Sequence, residues 1–127
     1  MTYKRVIHEG RPHYGKHSMI RMQNCSILVK DKEEIKSCII ALCDCIEMVR
    51  FGDPVVERFG DGIEIGISAV QLIETSAIVF HTNDGAKDLY ADIFSCKDYD
   101  ENAATECLLD HLGGRGTLID ISVVYRE

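Results

Sequence analysis

Apolar positions recur along this chain with two different spacings. Over 32–49, Ile35, Cys38, Ile39, Leu42, Ile46 and Val49 follow one another at steps of three and four, which lines one face of an α-helix. Asp31 stands where an N-cap is needed, and Glu34 where a capping box places its acid. A second helix is predicted over 101–112. Asp100 opens it, Ala104, Cys107, Leu108 and either His111 or Leu112 form its apolar face, and Gly113-Gly114 stops it. Strand-like runs are predicted at about 17–24, 54–59, 63–72, 77–82, 88–95 and 117–125. "FGDP" at 51–54, "GDG" at 60–62 and "NDG" at 83–85 supply turn chemistry between alternating runs, which favours antiparallel pairing. The order β-α-β-β-β-β-α-β predicts an α+β fold, a two-layer α/β sandwich with two helices on one face of a mostly antiparallel sheet. No linker or low-complexity segment divides the 127 residues, so one domain over 1–127 is expected.

Period-two parity sorts the strand residues onto faces. Ile63, Ile65, Ile67 and Ala69 share one face, and Glu64, Gly66, Ser68 and Val70 the other. Ile78 and Phe80 belong with the apolar set, leaving Ala77, Val79 and His81 opposite. Leu89, Ala91 and Ile93 are apolar, and Tyr90, Asp92, Phe94 and Cys96 face away. Ser68, His81, Asp92 and Cys96 are therefore expected on the side of the sheet that the helices leave open. Ser76 lies five residues from His81 and differs from it in parity, which places it at an irregular strand start or in the turn after Glu74. Val70, Val79, Tyr90 and Phe94 share the open face with these polar groups, and such a mixed apolar patch predicts a homodimer packed through it.

Composition narrows the partners. A hydrophobic content of 46% with 28% charged residues is ordinary for a soluble domain. The formal charge of −7 repels phosphate backbones, and Lys4, Arg5, Arg11 and Lys16 form no continuous stripe, which argues against nucleic acid. No apolar run approaches the roughly 18–20 residues of a membrane span, and "MTYKRVIHEG" lacks the apolar stretch of a signal peptide. No membrane association and a cytoplasmic location are expected. In that compartment the cysteines at 25, 38, 43, 45, 96 and 107 stay reduced, and most read as small buried hydrophobes. Cys43 and Cys45 are two apart on a helix and point away from each other, so no metal site is expected.

By residue type alone, Ser68, Ser76, His81 and Cys96 are either hydrogen-bonded packing residues of a half-buried sheet or one catalytic group. Their spacing carries more. Ser76 is followed by His81 five residues on and Cys96 fifteen further, with Ser68 eight before, inside "ISAV" at 67–70 and "ADIFSC" at 91–96, and "GKH" stands at 15–17. In these features, over about residues 15–112, the chain resembles the prokaryotic S-adenosylmethionine decarboxylases, which typically have Gly-Arg-His at the last motif.

The resemblance implies a fold of the same two-layer type, a dimer with sites at or near its interface, and a pyruvoyl cofactor derived from Ser76. The Thr75–Ser76 bond would break autocatalytically, converting a zymogen into two fragments: the Ser76 hydroxyl attacks the Thr75 carbonyl, and elimination and hydrolysis follow. Ser68 and His81 match residues that assist this processing, with His81 as the base. The pyruvoyl ketone would take a small-molecule substrate's α-amine as a Schiff base and accept electrons as CO2 is lost, in polyamine biosynthesis. Cys96 matches the residue that returns a proton to the α-carbon, which a thiol with a pKa near the usual value of about 8.5 can do.

The chain also departs from the family's pattern. Thr75 stands where the family has Glu, with Glu74 one place earlier, and Ala77 stands where His is frequent. The aromatics that grip the substrate's adenine are replaced by Gly62 and Asn83, and the Glu that binds its ribose by Gly85. Each lost stacking partner forfeits roughly 0.5–1.5 kcal/mol beyond its area. L-ornithine or L-arginine is therefore the favoured substrate, ahead of S-adenosylmethionine, with Glu64, Asp84 and Asp92 as candidates to bind a cationic side chain. The changes at Thr75 and Ala77 also fit a non-catalytic relative that dimerises with, or regulates, an active decarboxylase.

Overall fold

The computed structural model describes residues 3–127. A short hairpin comes first, β1 (Val6–His8) and β2 (Arg11–His13), followed by β3 (Gly15–Gln23) and helix α1 (Lys32–Cys45). Strands β4 (Val55–Phe59), β5 (Gly66–Ile73), β6 (Ser76–Asn83) and β7 (Asp88–Ser95) lead to helix α2 (Glu101–Leu112) and the last strand, β8 (Leu118–Arg126). Six strands form one sheet in the order β4-β5-β6-β7-β3-β8, and each neighbouring pair is antiparallel.

The core lies between one face of this sheet and the two helices. Ile35, Ile39 and Leu42 of α1 and Leu108 and Leu112 of α2 pack with Ile20, Met22, Ile67, Ile78, Phe80, Leu89 and Ile93 of the strands. The inward sets of β6 and β7 are those that parity selected, and the α+β sandwich is the architecture the element order predicts. Phe80 is among the largest fully buried side chains, at 0% exposure. Its replacement by alanine is expected to cost roughly 3–5 kcal/mol, read as a lower chemical-denaturation midpoint at unchanged slope.

Both predicted helix caps form. Asp31 Oδ1 accepts from the Glu33 and Glu34 amides at 2.8 and 3.3 Å, and Asp100 Oδ1 from Asn102 and Ala103 at 2.9 and 3.3 Å. The capping box at Glu34 does not close, because a preceding 3-10 turn, Ile27–Lys30, already engages the Asp31 amide through the Leu28 carbonyl at 3.0 Å. The first helix also ends at Cys45 instead of 49. Glu47 turns left-handed at φ 58°, the Met48 amide folds back to the Cys43 carbonyl at 2.8 Å, and Val49 is exposed.

The predicted strand 63–72 begins later, at Gly66. Gly62–Glu64 is a 3-10 turn, and Ile63, assigned to the inner face by parity, is 92% exposed. Gly66 then enters the sheet so tightly that a Cβ there would lie 1.9 Å from the Thr82 carbonyl oxygen. The hairpin β1–β2 was not foreseen, since three-residue strands carry too few positions to show a period. It is held by buried Val6 and by the His8 ring stacked on Tyr125 at 3.8 Å. Lys16, buried in β3, ties the start of α2 to the sheet through Glu101 (2.5 Å), Asp98 (3.2 Å) and the Tyr99 carbonyl (2.7 Å).

Candidate active site

Strands β5 and β6 form a hairpin whose two-residue turn is Glu74-Thr75, with Ile73 and Ser76 as the last paired residues. Thr75 sits at φ 59°. A β-branched residue in the left-handed region is strained, by an amount on the order of 1–3 kcal/mol. The strain falls at the peptide bond expected to break.

The end of β7 lies directly opposite. The Cys96 amide donates to Ser76 Oγ at 3.1 Å, and the Cys96 thiol is hydrogen-bonded to Thr75 Oγ1 at 2.9 Å and to the Tyr3 hydroxyl at 3.6 Å. Cys96 is 2% exposed. Burial pushes its thiol up, but hydrogen bonds with Thr75, Tyr3 and Ser76 and the charge of Arg5 outweigh that, and the net shift is below the ordinary thiol value. The Tyr3 hydroxyl moves the other way, chiefly through its bond to Cys96. A cavity of about 260 Å³ opens beside this group, walled by Tyr3, Arg5, Glu74, Thr75, Cys96 and Lys97. A shallower one of about 470 Å³, on Phe51 and Leu72, reaches Ser76.

Ser68 and His81 form a second group. They are direct partners across β5 and β6, and Ser68 Oγ and His81 Nδ1 share a hydrogen bond at 3.2 Å. His81 is exposed on the open face. From Ser76 it is five residues along the same strand, about 16 Å at about 3.3 Å per residue. Within one chain the structure therefore joins Ser76 to Cys96 and Ser68 to His81, and keeps the two pairs apart.

Residues 16–123 match the family described as S-adenosylmethionine decarboxylase. The chain belongs to the S-adenosylmethionine decarboxylase family. Its fold is that of the crystal structure of the adenosylmethionine decarboxylase from Aquifex aeolicus VF5, with a TM-score of 0.72 at 19% identity over 90% of this chain and 91% of that one. No match is found among curated protein sequences. The family match supports a role as a decarboxylase at the level of the family, and no described helix is long and apolar enough to cross a membrane.

The three acids expected to bind a cationic substrate do not gather at Ser76. Asp84 is ion-paired with Arg58, Asp92 holds the His17 ring at 3.2 Å, and Glu64 lies in the 3-10 turn. Asp84 and Glu64 flank the His81 end of the hairpin, and Asp92 is opposite Val79 in mid-strand. Conversely, Tyr3, Arg5 and Lys97 line the cavity beside Cys96 without having been singled out. Tyr3 and Arg5 precede the residues that match the S-adenosylmethionine decarboxylase family, and their segment has no period that could have pointed to them.

Proposed function

We propose that the chain is a pyruvoyl-dependent decarboxylase that makes its own carbonyl by breaking the Thr75–Ser76 bond, and that it works as a homodimer with composite sites. The observation that carries this reading is the cluster of Ser76, strained Thr75 and Cys96. The Cys96 amide binds the Ser76 oxygen and fixes its orientation at the head of β6, next to the carbonyl it attacks. Ester formation frees Thr75 from its left-handed turn, so the strain favours the step. The same residues suit a pyruvoyl group at position 76: it would begin a strand, beside a cavity and a buried thiol. Once formed, that group supplies an electron sink for the pair left behind when CO2 departs. Cys96 then holds the proton that returns to the substrate.

The base for the elimination is His81 of the partner subunit. The open face exposes Val55, Val70, Leu72 and Tyr90 beside His81 and Asp92, a patch suited to burial against a second copy. A two-fold axis between the sheets and across the strands lays the Ser76 end of one over the His81 end of the other. This arrangement brings the two half-sites together and carries Glu64 and Asp84 of the partner subunit to the same end.

The substrate proposed is a small basic amino acid, L-ornithine or L-arginine. Asn83 is used as a turn residue, donating to the Ile63 carbonyl at 2.7 Å and accepting from Ala86 at 2.9 Å, and Gly62 and Gly85 offer no side chain to a nucleoside.

Mixing two inactive chains tests the composite site. His81→Ala and Ser76→Ala protomers, each expected to stay intact alone, should yield fragments 1–75 and 76–127 from the His81→Ala chain when refolded together, because its Ser76 then meets an intact imidazole. Persistent intact mass in the mixture, with a wild-type chain that does cleave, would overturn the composite site, and cleavage of the His81→Ala chain by itself would place His81 outside the reaction. A wild-type chain that never cleaves would favour the non-catalytic relative. CO2 release compared among ornithine, arginine and S-adenosylmethionine decides the substrate, and turnover of the last alone would overturn the preference.

A further inference from the structure

We propose that Arg5 is the anion acceptor of self-cleavage, its guanidinium receiving the carboxylate that Thr75 becomes; this rests on the self-processing reading above. The charge balance of the cavity beside Cys96 motivates the assignment. Its wall carries Arg5 and Lys97 against Glu74. Lys97 is engaged, donating to the Glu47 carbonyl at 2.6 Å. Arg5 makes no hydrogen bond or ion pair among the described residues; its guanidinium lies 5.3 Å from the centroid of the Tyr3 ring, whose hydroxyl reaches Cys96. Before cleavage the wall thus holds one positive charge in excess, and Arg5 has no anionic partner among the described residues.

Cleavage creates the missing anion at Thr75. In the first step the Ser76 oxygen bonds to the Thr75 carbonyl carbon, the C–N bond breaks and the Ser76 nitrogen takes the proton, leaving a neutral ester. In the second, a base removes the proton on the Ser76 α-carbon, and the freed pair forms the Cα=Cβ bond. The Cβ–O pair leaves on oxygen, which is now part of the Thr75 carboxylate. Water then replaces the amine, releasing ammonia. A lasting negative charge appears only in the second step, the oxyanion of the first being transient, and it falls one residue from Glu74, where an unassisted carboxylate would meet like-charge repulsion. A cation already in place stabilises the departing charge without reorganisation. Arg5 also adds to the pull that lowers the Cys96 thiol, which places its field over the same group.

Denaturing mass spectrometry during incubation at neutral pH tests the assignment. Because Arg5 is exposed and its interaction screened, Arg5→Gln is expected to slow cleavage roughly tenfold instead of abolishing it. The accumulated chain should be split by hydroxylamine, leaving fragment 1–75 with a C-terminal hydroxamate. Arg5→Lys should restore most of the rate, and Glu74→Gln should not slow it. Equal melting curves for the variants exclude a folding effect. Cleavage of Arg5→Gln at the wild-type rate, or slow cleavage with no hydroxylamine-sensitive chain, overturns the role of Arg5 while leaving self-processing intact. A wild-type chain that stays whole overturns both.

Discussion

Ser76→Ala is expected to leave a chain of full length under all conditions and to release no CO2 from any amino acid. The expectation follows from what the side chain does and what it does not do. Its hydroxyl is the nucleophile proposed to attack the Thr75 carbonyl, and it accepts from the Cys96 amide at 3.1 Å. Losing that acceptor costs stability on the order of 1 kcal/mol, too little to unfold a sheet of six strands. The variant should therefore melt within a few degrees of the uncleaved wild type. Cleavage and activity disappear together, because the carbonyl that takes the substrate would come from the same residue. Fragments 1–75 and 76–127 from a Ser76→Ala preparation would show that another group breaks the bond, and the proposed origin of the cofactor would fall with it.

Parity recovered the inner sets of β6 and β7, because strands buried on one face must alternate strictly or lose the core. It failed at Ile63, where the start of the apparent alternation lies in the three-residue 3-10 turn Gly62–Glu64. Gly60 at φ 106° and Gly62 at φ 59° give the backbone a freedom that the residues between them cannot signal. Helix ends followed the same logic. Asp31, Asp100 and Gly113 mark boundaries through local hydrogen bonds, whereas the stop at Cys45 depends on Met48 folding back, which no apolar spacing reports. For the site, the spacing of Ser68, Ser76, His81 and Cys96 carried the family resemblance but hid the division of these residues into two pairs. Four positions close in sequence look like one site, yet a strand separates its own residues by about 3.3 Å each. The resulting gap of five residues is the reason the proposed site draws on a second copy. The contribution of Tyr3 and Arg5 was illegible for a different reason. It arises from a long-range return of the first residues to the end of β7, and only tertiary structure shows such a contact.

Cys96→Ala is expected to separate the two reactions that Ser76→Ala abolishes together. What Cys96 gives the Ser76 hydroxyl is its main-chain amide, which alanine retains, so cleavage should proceed at close to the wild-type rate. What alanine lacks is the thiol proton, and removal of a positioned general acid should lower turnover by roughly 10²–10⁴-fold. The pH profile provides an independent check. A donor works only while protonated, so turnover falls as pH rises through the thiol's pKa. The Tyr3 hydrogen bond and the Arg5 charge, which cleavage at Thr75–Ser76 leaves in place, both favour the thiolate. Tyr3→Phe removes one of the bonds that favour the thiolate, and should move the limb to higher pH while leaving the fragment pattern unchanged. In Cys96→Ala the limb should vanish from the residual activity. Full turnover in Cys96→Ala, or a limb that ignores both substitutions, would assign the returning proton to another group, and the thiol beside Thr75 would then be a packing residue of the hairpin end.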